Sequence, residues 1–267
     1  MRQLTQAASR RFSPHRQVLK DRMAKSISVL YLLVGRGGSK GVPGKNLRQI
    51  AGTTLIGYRA VSALKSRSCD RLVVSSDSKD IREEARRWGA EVPFERPGEL
   101  ATDEATSDDV VLHAMEWIER HEKKSYDAIM LLEPSSPFAR ADHYDAAVEL
   151  FVNREADLVV GVRETDIASV FVGPMGEDGS IALIVSRLIE RRNLRRQDQA
   201  REVTMNGALY LIRWSAMKEK RRIYSNPART YGLLMDRLHS VEIETPDDLE
   251  YANHVVETGQ LDRSPWQ

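Results

Sequence analysis

Leu33-Val34-Gly35-Arg36-Gly37-Gly38-Ser39-Lys40-Gly41-Val42-Pro43-Gly44-Lys45-Asn46 decides how this chain of 267 residues is read. It follows an apolar run, residues 27–34, whose length and composition predict a buried strand. A loop so rich in glycine lets the backbone approach a ligand closely, because glycine has no Cβ and tolerates positive φ. Its N–H groups can turn inward as a nest for an anion. Arg36, Lys40 and Lys45 add positive charge around the same small volume, which suggests a cradle for a polyphosphate. The string is neither the phosphate loop G-x-x-x-x-G-K-[ST] nor the dinucleotide fingerprint G-x-G-x-x-G. A basic surface loop would have the same composition. Its position directly after a buried strand favours the ligand, since open α/β sheets bind ligands at the carboxyl ends of their strands.

Downstream, the pattern alternates. Residues 54–66 carry a helical apolar face, 71–75 a buried strand, 81–88 a charged amphipathic helix closed by Gly89, and 91–94 a short strand. Strand, helix, strand at this spacing predicts βαβ units and a parallel sheet. Residues 96–107 (RPGELATDEATS) are polar and too long for a simple connection, which marks a functional loop. Ser107 or Thr106 can cap the helix predicted over 109–123. Arg96, just past a strand end, is expected to face a ligand or a carboxylate. A central strand over 128–133 stops at Pro134, and a helix over 142–152 and a strand over 157–163 follow. Within 164–203, the apolar groups at 170–172 and 181–185 around glycines predict a β-hairpin. Asn206-Gly207 reads as a turn opening a strand over 208–213. Alternation in Val241-Glu242-Ile243-Glu244 puts both glutamates on one strand face, ahead of a helix capped by Thr245 and started by Pro246. Like charges there suit a hard cation, or simply an exposed edge.

Composition is that of an ordinary water-soluble chain, with 41% hydrophobic and 30% charged residues. No apolar run is long enough to span a bilayer. One cysteine, Cys69, excludes an internal disulfide and fits a reducing, cytoplasmic setting. Residues 1–25 hold seven Lys/Arg against Asp21, so the rest of the chain is acidic and offers no basic surface for nucleic acid. We expect 1–25 to be a disordered basic extension and 26–267 the folded domain.

The loop G-R-G-G-S-K-G-V-P-G-K-N resembles the signature A-R-x-G-S-K-G-x-x-x-K-N of the acylneuraminate (CMP-sialic acid) cytidylyltransferases, with Gly35 in place of the usual Ala. Residues 96–107 are similar to that family's R-P-x-E-L-A-x-D-x-A-[ST]-[ST]. Glu133-Pro134-Ser135-Ser136-Pro137 is similar to Q-P-T-S-P with Glu for Gln, and Arg195-Arg196-Gln197-Asp198 ahead of Asn206-Gly207 to R-R-Q-D before N-G. Glu242 and Glu244 stand where relatives carry two metal-binding Asp.

The resemblance implies one nucleotidyltransferase-type, Rossmann-like α/β domain with a mixed, mostly parallel sheet and a β-rich dimerisation excursion over 164–203. It implies an enzyme coupling CTP to an acidic sugar, with Mg²⁺ as cofactor and a homodimer as the assembly. By the same resemblance, Arg36, Lys40 and Arg196 are catalytic. Gly37, Gly38, Ser39, Lys45, Asn46, Arg96, Ser107 and Glu133 contact the nucleotide. Arg195, Gln197 and Asn206 contact the sugar, and Glu242 and Glu244 hold the metal. Sialate members commonly carry H-P-x-K after the strand at 157–163, and this chain does not. Another nonulosonate, another sugar or nucleotide, or an inactive sugar-nucleotide sensor therefore remain as alternatives.

Overall fold

The computed structural model describes residues 27–190 and 201–267. Strand β1 (Val29–Val34) is second from one edge of a six-stranded sheet and is flanked in parallel by the edge strand β4 (Arg71–Ser75) and by β5 (Ala128–Leu132). Beyond β5 come β7 (Val203–Arg213), β6 (Leu158–Glu164) and β8 (Thr230–Leu234), where β7 alone runs antiparallel to its neighbours. A two-residue hairpin pairs β2 (Gln49–Ile50) with β3 (Thr53–Thr54). Its turn residues Ala51 and Gly52 both have positive φ, as a tight hairpin of matching twist requires.

Strand alternation sorts the core. Val29, Tyr31 and Leu33 pack under α1 (Leu55–Lys65), α2 (Lys79–Arg87) and α4 (Ala141–Asn153). Leu30 and Leu32 face the other way, onto α3 (Ser107–Glu122) and α6 (Trp214–Lys220). Both faces of β1 are thus buried, which is why its sequence is continuously apolar. Each such Leu or Val contributes roughly 1.5–3 kcal/mol by leaving water. A third cluster joins α7 (Pro246–Glu257) to β2 and to Val241 and Ile243. The expected α/β domain with a mixed, mostly parallel sheet is therefore the observed one.

Three local expectations are corrected. Residues 91–94 form no strand; Glu91 makes one isolated bridge to Val73. The hairpin foreseen within 164–203 is helical where described. Ser169–Phe171 is a single 3-10 turn and Ala182–Glu190 an α-helix, α5. Ile181, Ile184 and Leu188 recur with helical rather than strand spacing, so the excursion is not β-rich among its described residues. Asn206-Gly207 does not open a strand but lies inside β7. Val160 pairs with Tyr210 and Val162 with Met205, so residues 206–209 bulge out opposite Gly161.

Candidate active site

The loop after β1 lies across the carboxyl end of the sheet. Asn46 is buried and donates its Nδ2–H to the Arg36 carbonyl at 2.9 Å, pinning the loop's two ends together. A Cβ on Gly41 would overlap the Glu244 carbonyl oxygen, so only glycine lets the loop rest on the segment before α7. The loop's cations meet acids from two other segments, and its backbone meets a third acid. Arg36 Nη1 and Lys40 Nζ share the Asp103 carboxylate, at 2.8 and 2.5 Å. Lys45 Nζ donates to the Ile243 carbonyl at 2.8 Å and pairs with Glu244 at 3.2 Å. The Gly37 N–H donates to Asp77 at 3.1 Å. Lys40 and then Arg36 hold the Asp103 carboxyl below its ordinary range. Sequence reasoning assigned Asp103 no role, although its loop was singled out; only the fold shows that it reaches both cations.

Arg96 was expected to face a ligand or a carboxylate. It is buried at the cleft wall, donating Nε–H to the Ser75 hydroxyl at 3.0 Å and Nη2–H to the Ser75 carbonyl at 2.5 Å. Burial pushes its guanidinium down to about 10. Thr106, not Ser107, caps α3, accepting the Asp109 N–H at 3.2 Å. That leaves the exposed Ser107 hydroxyl free to line the cleft.

At the far end of the cleft the carboxylates gather. Glu133, directly after β5, is half-buried, and burial first and Glu242 second raise its carboxyl to about 7. Gly207, at φ +63, keeps open a point that three oxygens approach. A Cβ there would lie 2.8 Å from Glu242 Oε1, 3.0 Å from Ser136 Oγ and 3.5 Å from Glu133 Oε2. Two carboxylates aimed at one small space, one of them with its ionisation pushed up to about 7, fit a hard divalent cation as the missing charge. Arg59 braces this corner from beneath. Fully buried on α1, it donates to the Ser136 carbonyl at 2.9 Å and to the Ala208 carbonyl. Buried Asn206 gives its Nδ2–H to the Ser240 hydroxyl at 2.8 Å and accepts the Ala208 N–H at 3.1 Å, so its side chain shapes the bulge. The sequence singles out Glu133, Glu242 and Asn206 separately, but only the fold brings β5, β7 and the segment before α7 together at one corner.

Arg36, Ser39, Lys40, Lys45, Asn46, Arg96, Ser107, Glu133 and Glu244 all line one cleft of about 420 Å³. Gly37 and Gly38 belong to the same loop but lie outside that lining. Asn206 and Glu242 line an adjoining hollow of about 390 Å³. Arg195, Arg196 and Gln197 lie outside the described residues. A sheet with a glycine-rich basic loop at its carboxyl end, facing an acidic corner, is the arrangement of an α/β protein that binds a phosphorylated ligand there.

Residues 30–172 match the sequence profile described as "Cytidylyltransferase". Among relatives, the chain is 30% identical over 235 residues to the CMP-N,N'-diacetyllegionaminic acid synthase of Legionella pneumophila, covering 87% of this chain and 97% of that protein. It is 29% identical to the pseudaminic acid cytidylyltransferase of Campylobacter jejuni, covering 84% of this chain and 94% of the relative. In fold it matches a CMP:2-keto-3-deoxy-manno-octonic acid synthetase solved with CTP, with a TM-score of 0.64 at 14% identity, over 87% of this chain and 99% of that one. The chain belongs to the cytidylyltransferase family, within its nonulosonate branch, and is an enzyme of the nucleotidyltransferase class.

Proposed function

We propose that this enzyme transfers the CMP group of CTP to a sialic-acid-like 2-keto sugar acid, releasing diphosphate. The observation that carries the reading is the meeting, at Gly207, of a cation-lined cleft with a pair of carboxylates. The anomeric hydroxyl of the sugar attacks the α-phosphorus; a new O–P bond forms as the bond to diphosphate breaks. Little covalent chemistry is asked of the protein, and positioning and charge stabilisation dominate. Arg36 and Lys40 neutralise the charge that collects on diphosphate, and Lys45 fixes the loop and faces the phosphates. Gly37, Gly38 and Ser39 offer backbone N–H groups to the same phosphates. Asn46, Arg96 and Ser107 place the nucleoside. Glu133 and Glu242, with Glu244 beside Lys45, would hold Mg²⁺. When bound there, the cation would draw charge from the phosphate oxygens and stabilise the leaving diphosphate. Asn206 sets the bulge on which the sugar rests; Arg195, Arg196 and Gln197, outside the described residues, are assigned to the sugar by the family resemblance alone, Arg196 as the catalytic one.

Residues 26–267 form the catalytic domain and 1–25 a basic extension, of which 1–22 are dispensable for activity. Segment 164–203 joins two copies into a homodimer. Among the described residues no helix is long and apolar enough to cross a membrane, and together with the single cysteine this supports a cytoplasmic enzyme. The test is a matrix of the four nucleoside triphosphates against N-acetylneuraminic, legionaminic and pseudaminic acids, read by diphosphate release with Mg²⁺ present. Release with CTP and at least one acid is expected. Release with another triphosphate alone, or with no acid, would overturn the reading.

A further inference from the structure

Past the bulge the nucleotide cleft adjoins the hollow of about 390 Å³. Glu242 stands on the divide, with its Oε1 beside Gly207 and its side chain also lining the hollow. Two arginines from separate segments border that hollow: Arg163 near the end of β6, half-buried, and Arg237 in the turn after β8. Both hold one carboxylate. Asp166 accepts Arg163 Nη1 at its Oδ2 at 3.1 Å and pairs its Oδ1 with Arg237 Nη1 at 3.2 Å. The other acids on the hollow are committed elsewhere. Asp248 takes the N–H groups of Glu244 and Thr245 and the Thr245 hydroxyl as the cap of α7. Glu242 is turned toward Gly207 and Glu133.

We infer that Arg163 and Arg237 form the site for the acceptor's carboxylate, and that Asp166 stands in for that group while the acceptor is away. The inference rests on the reading of the acceptor as a 2-keto sugar acid and assigns two residues of this chain to it. Two guanidinium groups that converge on one carboxylate present a fork of N–H donors that another carboxylate can take in its place. Asp166 is exposed, and ion pairs so exposed are weakly held and readily exchanged. The chemistry of the acceptor fits the spacing. In a 2-keto sugar acid the carboxylate is attached to the carbon that bears the attacking hydroxyl. Holding the carboxylate in the hollow therefore directs that hydroxyl at the divide marked by Glu242 and Gly207, where the α-phosphate is to be met. Thr204 and Tyr251, also lining the hollow, offer hydroxyls to the rest of the sugar.

The experiment uses the full chain, CTP, Mg²⁺ and whichever of the three nonulosonic acids the wild type turns over fastest. Arg163→Gln and Arg237→Gln are each expected to raise KM for the acid at least about tenfold and leave KM for CTP within about twofold, as loss of a charge-assisted contact to the acceptor alone requires. Asp166→Asn is expected to lower KM for the acid, since the competing carboxylate is gone. The decisive control is the same sugar with its carboxylate converted to the primary amide. The wild type should prefer the acid strongly, and each Gln variant should lose most of that preference, whereas a merely structural role would depress acid and amide alike. Arg163→Lys should recover part of the acid KM. Unchanged acid KM in both Gln variants, or equal losses on acid and amide, would overturn the assignment while leaving the proposed reaction standing. A wild type that turns over no acid at all would remove both.

Discussion

Arg36 is half-buried beside Lys40, and the two share Asp103, so a carboxylate already occupies the space where phosphate oxygens are expected. Arg36→Ala should lower kcat/KM by about two orders of magnitude or more, a loss of roughly 3–4 kcal/mol of charge stabilisation at the transition state. Circular dichroism should be unchanged, and wild-type kinetics would remove the cradle from the account. Glu133 gives a prediction with a sign. Its carboxyl is raised to about 7, first by burial and then by Glu242. A folded-state value above the unfolded one means that the stability this group contributes is complete at low pH. It is lost as pH rises from the ordinary carboxylate range through 7. Above that, wild type carries a buried, poorly compensated charge. Glu133→Gln removes it and should be more stable than wild type at pH 8, by on the order of 1–2 kcal/mol or about 2–6 °C in Tm, with no gain at pH 5. Millimolar Mg²⁺ at pH 8 should then raise the Tm of wild type and not that of Glu133→Gln. Equal pH profiles for the two proteins would show that Glu133 is not held against its neighbours.

The elements differ in how openly the sequence declared them. β1 and β5 are buried on both faces, so an unbroken apolar run announced each of them. The signature loop was equally legible, because Gly, Lys and Arg directly after such a strand have few other uses. The acidic corner was half legible. Alternation placed Val241 and Ile243 inward with Glu242 and Glu244 outward, which the burial pattern repeats. Which partner each glutamate meets depended on tertiary order: Glu244 goes to Lys45, and Glu242 turns toward Glu133. The bulge in β7 could not be read, because Asn-Gly is also the commonest signal of a tight turn. It is this element that a single methyl group should test. Gly207 has φ +63, and a Cβ would crowd Glu242 Oε1 and Ser136 Oγ. Gly207→Ala should cost about 1–3 kcal/mol from the left-handed backbone and the crowding, lower kcat at least tenfold, and abolish the Mg²⁺-dependent rise in Tm. A variant that keeps the wild-type response to Mg²⁺ would separate the bulge from the cation.

On the scale of the whole molecule, three packed clusters account for the sheet and its helices, but α5 and the turn before it are left out of all three. Of α5 no residue is buried. Leu183, Val185 and Ile189 are open to solvent, as are Phe171, Val172 and, at 73% exposure, Met175. So many exposed apolar side chains in one short described stretch are the feature that supports the proposed homodimer contact. The occupant that best fits is a second copy of the chain. The segment is helical where a hairpin was expected, but the reason for pairing is the same: a short amphipathic helix standing off the sheet has no independent stability and must bury its apolar side against something. Light scattering coupled to gel filtration should give twice the chain mass at micromolar concentration. Replacing Leu183 and Ile189 together by Asp puts two charges into that surface and should yield a monomer. The folded sheet should survive in that monomer, with its far-ultraviolet dichroism and its affinity for CTP intact, because neither residue belongs to the core clusters or the nucleotide cleft. A monomer mass for wild type would remove the dimer. A dimer that persists in the double Asp variant would place the interface elsewhere and leave the apolar face of α5 for a different partner.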